Sequence, residues 1–247
     1  MKKSLCLNRP GAARGLVLSL LPVAILLCTV LMGCPPEVVP CRDYDPNIPS
    51  EWASAVDNPY FPLTPGTIRT YEADTDDGLE RVVVEVTDQT REVMGMTCVV
   101  VRDTVTVDGE VEEDTFDWFA QDAAGNVWYM GEDSREYEDG LVVSTEGSWE
   151  AGIDGALPGI QMLATPEVGE PYFQEFYCGE AEDEGQVTAL NESVTVPAGS
   201  YVNCVEIAEF TRLEPDLLEY KYYAPGIGFV LAMEDDVRVE LVSIVQP

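Results

Sequence analysis

The sequence predicts an all-β protein, an antiparallel meander curved into a half-barrel or barrel, with two halves of similar pattern. Three observations carry that expectation. From Thr67 onward, short runs rich in Val, Tyr, Phe, Trp and Thr alternate apolar and polar residues with period two. Gly, Asn and Asp punctuate these runs at turn positions. The i, i+3, i+4 spacing of a helix is hard to find anywhere in the same stretch. A meander this long has exposed edges that invite aggregation, and closure or strong curvature relieves them.

Taken in order, the chain opens with Lys2, Lys3, Arg9 and Arg14, followed by an uncharged apolar run from Leu16 to Gly33. This is the layout of a secretory signal. Leu31, Met32, Gly33 and Cys34 resemble a bacterial lipobox, which implies cleavage before Cys34 and its diacylation. Met32 departs from the small or β-branched residue usual there. An uncleaved anchor helix is the alternative, since about 18 apolar residues just span a bilayer with the positive flank inside. Either reading exports the folded part and tethers it to a membrane, at the outer membrane, in the periplasm or on the cell surface. The expected division is a signal peptide over 1–33, a tether over 34–58 made irregular by Pro35, Pro36, Pro40, Pro46 and Pro49, and one β domain over 59–247.

Within that domain Val82, Val84 and Val86 share one face of a strand, with Arg81, Glu85 and Thr87 on the other. In the next strand Val99, Val101, Val105 and Val107 share a face with Asp103. Asp108 and Gly109 then supply a hairpin turn of the favoured type, and the chain returns through Phe116 and Trp118. Further strands follow through Val127–Tyr129 and Val142–Val143. Seven Gly and Pro between Gly152 and Pro171 read as a long connection between two sheet halves. Strands resume over 172–178, 186–196, 201–212, 217–223, 227–233 and 237–245, for roughly ten to twelve in all.

The two halves echo each other. Cys98 and Val99, after Gly95, correspond to Cys204 and Val205, after Gly199, and the strands that follow end in Trp118, Phe119, Ala120 and in Tyr222, Tyr223, Ala224. The runs NPYFPLTPGT at 58–67, DWFAQDAAGNVWYMGEDSREYEDG at 117–140 and YYAPGIGFV at 222–230 resemble a family of uncharacterised secreted bacterial lipoproteins. That resemblance implies export and lipidation but no activity. The architecture is loosely similar to the half-barrels of envelope lipoprotein carriers and to lipocalin-like barrels, and fold alone does not establish function.

Composition narrows the chemistry. The chain carries 46 Asp plus Glu against 13 Lys plus Arg, and no His. Such a surface cannot build the basic patch that nucleic acid requires. Imidazole-dependent nucleophile activation and histidine zinc sites are excluded as well. After Cys34, the cysteines are Cys41, Cys98, Cys178 and Cys204, an even number in an oxidising compartment, expected to be structural and to form two disulfides in one of three connectivities. Acidic clusters at 74–80, 110–117, 132–139, 180–184 and 234–236 read as solvated surface. Their spacing matches no Ca²⁺ loop, so no metal ligands can be assigned. Lys221, the only Lys beyond the leader, alternates onto one face with Glu219 and Tyr223, where an acidic partner is expected.

The sequence therefore points to a membrane-anchored exported lipoprotein with a noncatalytic binding role in the cell envelope and no cofactor. The expected ligand is apolar or amphipathic, held on the concave side of the sheet. The alternative is an acidic surface structural or interaction protein that binds Ca²⁺ or a cationic partner.

Overall fold

A computed structural model describes residues 40–247. The leader and Cys34 lie outside the described residues. The first run of hairpins comprises β1 (Ile68–Thr75), β2 (Gly78–Val93), β3 (Met96–Val107), β4 (Glu110–Gln121) and β5 (Val127–Asp133). A small excursion follows, formed by β6 (Glu136–Glu138), β7 (Leu141–Ser144) and β8 (Trp149–Glu150). Next come β9 (Leu157–Met162), β10 (Tyr172–Phe173) and β11 (Glu175–Phe176). The second run comprises β12 (Asp183–Val196), β13 (Gly199–Thr211), β14 (Glu219–Ala224), β15 (Gly228–Glu234) and β16 (Val237–Val245). The extra strands beyond the ten to twelve expected are mostly two to four residues long, too short to leave a period-two pattern.

Thirteen of the strands follow one another in a single antiparallel path, β10-β12-β13-β14-β15-β16-β1-β2-β3-β4-β5-β9-β11, which forms a nearly closed barrel. Its turns have the expected chemistry. Asp108–Gly109 and Asp139–Gly140 both take left-handed backbone, as the right-handed twist of tight hairpins requires. Pairing of β1 with β16 joins the two runs. At the seam, β10 pairs with β12 and β11 pairs with β9, and only Gln174 separates β10 from β11. One short segment thus spans from one edge to the other. A Cβ on Gly159 would lie 2.2 Å from the Gln174 carbonyl group, so the crossing depends on glycine there. The stretch read as a long connection therefore contains β9. Its Pro158 and Gly159 are features of the seam, and they had argued against a strand only because they are rare in sheet centres.

Alternation sorts each strand into inward and outward faces. Val82 and Val86 are fully buried while Arg81 faces out and pairs with Glu72 on β1 at 2.6 Å. One half of the interior is apolar. Phe61, in the segment that precedes β1, packs 5.1 Å from Phe119 and 6.4 Å from Tyr223, ring centre to ring centre. Tyr71 packs 4.9 Å from Phe229 beside them. The repeat is real in register: Val99 pairs with Phe119 on β3–β4 as Val205 pairs with Tyr223 on β13–β14, and Phe61 contacts both of the repeated rings.

Residues 41–58 have an irregular backbone and are bound along the barrel wall. Cys41 is bonded to Cys178. Tyr44 donates to the Pro158 carbonyl at 2.9 Å and packs its ring on Phe173 and Phe176, over the seam. Ala53 N–H donates to Gln121 O at 2.8 Å. The expected second disulfide does not form, because Cys98 and Cys204 are buried free thiols. They occupy equivalent places in the two halves and pack there as small apolar side chains.

Candidate functional site in the barrel interior

The other half of the interior is lined with carboxyl groups. Four of the five acidic clusters read as solvated surface, all but 234–236, send members inward, because a strand turns every second side chain to the same face. Glu80 on β2 continues the face of Val82 and Val84, and it is wholly buried. Asp103 on β3 lies between Val101 and Val105, at 2% exposure. Glu113 and Asp117 on β4, Glu132 on β5, Glu175 on β11, Asp183 on β12 and Glu209 on β13 are buried too. The clusters are thus only partly solvated, which corrects the sequence reading.

Some of these acids are well served. Lys221 Nζ reaches Glu209 at 2.5 Å and Glu219 at 3.1 Å, which is the acidic pairing expected for it. Glu209 also accepts from Gln174 Nε2 at 2.9 Å and Tyr223 OH at 3.3 Å. Burial opposes the charge on Lys221, but Glu209 and Glu219 outweigh it and raise its pKa. Tyr129 OH donates to Asp117 at 2.6 Å and lies 3.1 Å from Glu132. A single hydroxyl hydrogen serves one of these two, so the arrangement is completed by a proton on Glu132. Burial, then Asp117, pushes the pKa of Glu132 well up. Glu113 accepts from Thr115 at 2.7 Å, and burial holds its pKa up at about 7.

Other carboxyl oxygens have no hydrogen-bond partner at all. Both carboxyl oxygens of Glu80 and both of Asp103 are orphaned, as is Oδ2 of Asp117. Burial first, with Glu112, Glu219 and Glu113 adding repulsion, raises Glu80 to about 8. Burial raises Asp103 well above the carboxylate range, with Asp117, Glu113 and Glu80 adding to the shift and Lys221 opposing it. A proton removes the charge but leaves the hydrogen-bonding demand in place. Asp103 also forms part of the lining of a cavity of about 30 Å³, otherwise walled largely by Phe61, Leu63, Tyr71, Val84 and Phe229. That cavity lies where the apolar and carboxyl halves meet.

Among the strand aromatics, Trp118, Trp128, Tyr129, Trp149 and Tyr223 are core. Tyr220 and Tyr222 instead line a groove of about 320 Å³ on the outer face, beside Asp216, Met233 and Asp235. Among the described residues, no three Cys, Asp or Glu side chains are placed to hold a metal ion. The signal for the interior site was present in the sequence as acids standing on valine-bearing faces, Asp103 most clearly.

No protein-family model matches the chain, so the lipoprotein family suggested by the quoted runs gains no support there. No curated protein matches it either. Among solved structures it is similar to a candidate lipoprotein from Parabacteroides distasonis ATCC 8503, at 13% identity over 75% of this chain and 98% of that one, with a TM-score of 0.39. A likeness that weak transfers neither fold detail nor function. The disulfide is the kind of bond that persists in an exported protein.

Proposed function

We propose that this protein is an exported, lipid-anchored, noncatalytic binding protein of the cell envelope, and that its barrel interior takes an amphipathic ligand. The division of that interior supports the reading. Apolar rings and valines line one half, unpartnered carboxyl groups line the other, and a cavity touches both. A purely apolar ligand leaves Glu80 and Asp103 unserved at the usual cost of a buried orphan group, about 1–3 kcal/mol each. A ligand with a polar end supplies what they lack. Anchoring through Cys34 places this barrel beside a bilayer, the natural source of amphipathic molecules. Native mass spectrometry of the full chain, gently extracted from its own membranes, tests the reading. A discrete small-molecule adduct that is lost on denaturation is expected, and a uniformly bare chain argues against it.

A second reading is favoured by the outer groove, where Tyr220 and Tyr222 stand beside Asp216 and Asp235. Aromatic faces and carboxylates together suit a cationic partner. On that reading a Lys-rich peptide binds the full chain and is released by Tyr220→Ala.

A further inference from the structure

The two halves of the barrel are built alike, and they differ in one group that matters. In the second half, Ile207 pairs with Lys221 and Glu209 pairs with Glu219. In the first, Val101 pairs with Asp117 and Asp103 pairs with Thr115. Counting from the repeated pairs Val99–Phe119 and Val205–Tyr223, Asp103 takes the place of Glu209, and Asp117 takes the place of Lys221. Glu209 is met by an ammonium group at 2.5 Å. Asp103 has an acid where that ammonium would originate, and neither of its oxygens has a partner. Glu80, wholly buried, is orphaned in the same way.

We infer that the first half of the barrel binds the ammonium group of a primary alkylamine, seated on Asp103 as Lys221 is seated on Glu209. This deepens the proposed function and rests on it, since it names the polar end of the amphipathic ligand. The chemistry fits at three points. An ammonium group brings three donors to a carboxyl group whose two oxygens have none. The cavity that reaches Asp103 has room for about two waters, the size of an ammonium head, and the walls around it are largely apolar. Among the described residues no carboxyl groups are arranged to chelate a bare metal ion, whereas an ammonium group needs only one carboxylate. Arg69 stands at the cavity with its Nε and Nη2 held by the Ile227 and Pro62 carbonyls. The amine passes it in neutral form and takes its proton from Asp103, leaving an ammonium–carboxylate pair with no change in net charge.

Calorimetric titration of the full chain in detergent with hexylamine, hexanol and hexanoate tests this. Hexylamine is expected to bind, with hexanol and hexanoate at least about tenfold weaker, because truncating a buried charge pair costs more than that factor. Asp103→Asn is expected to lose the hexylamine preference, while Glu85→Gln on the outer face keeps it, which separates the site from general attraction to an acidic surface. Asp103→Ser carries the same test if Asp103→Asn does not fold. Equal binding of hexanol, unaffected by Asp103→Asn, overturns the inference and leaves an apolar or amphipathic ligand standing. Binding of none of the three overturns both, and so does hexylamine binding that survives substitution of Asp103 while hexanol fails to bind.

Discussion

Glu80→Gln in ligand-free protein should make the barrel more stable, and increasingly so as pH rises. Glu80 is wholly buried without a partner, and its pKa is raised from 4.5 to about 8. Below pH 4.5 the group is protonated in both folded and unfolded chains, so it imposes no ionisation cost. Between pH 4.5 and about 8 the unfolded chain releases the proton and the folded chain keeps it, and stability falls by about 1.4 kcal/mol per pH unit. Above about pH 8 the loss levels off, at a ceiling of about 5 kcal/mol. Gln has the same shape and never ionises, so the variant escapes this loss. It should match the parent near pH 4 and exceed it at pH 8.5 by about 2–5 kcal/mol, which moves the urea midpoint by about 1–2 M. Paired urea titrations at the two pH values measure it. A variant less stable than the parent at pH 8.5, or a difference that does not grow with pH, would refute the assignment of Glu80 as an unpartnered interior acid.

Lys221→Met leaves Glu209 and Glu219 without their buried cation and should cost about 3–5 kcal/mol in chemical denaturation. Phe61→Ala removes the ring shared by Phe119 and Tyr223 and should cost a similar amount, read as a lower urea midpoint at any pH. Replacing Cys41 and Cys178 by Ser should lower stability by about 2–4 kcal/mol and speed amide exchange at residues 41–58, which the bond holds against the wall. Cys98 and Cys204 should resist a thiol reagent until the chain unfolds, since both are buried and burial pushes the Cys98 thiol up to about 12.

What the sequence made legible was whatever repeats locally. Period-two alternation along β2, β3 and β13 and the Asp108–Gly109 turn set the fold class, because each depends only on neighbours in the chain. The seam was not legible. β10 and β11 are two residues each, and their pairing depends on Gly159 admitting the Gln174 backbone from a distant part of the chain. The cysteine count suggested two bridges but carried no geometry, and the repeat itself places Cys98 and Cys204 in matching positions of separate hairpins. The interior site was half visible. Asp103 stood among valines and Lys221 beside Glu219, yet with 46 acids in the chain a cluster looks like surface until strand parity is followed through every member. Even then parity cannot show which carboxyl groups find donors. That depends on Gln174, Tyr129 and Lys221 arriving from other parts of the chain.

The interior carboxyl groups of Glu80 and Asp103 keep their protons because no group in the protein donates to them. A ¹³C NMR titration of the Asp and Glu side-chain carboxyl groups in ligand-free protein reaches that claim directly. Glu80 and Asp103 should hold their protons at neutral pH and titrate far above the surface acids, and hexylamine should drive Asp103 to its ionised form. Titration of both groups below pH 5 in the folded protein would contradict it.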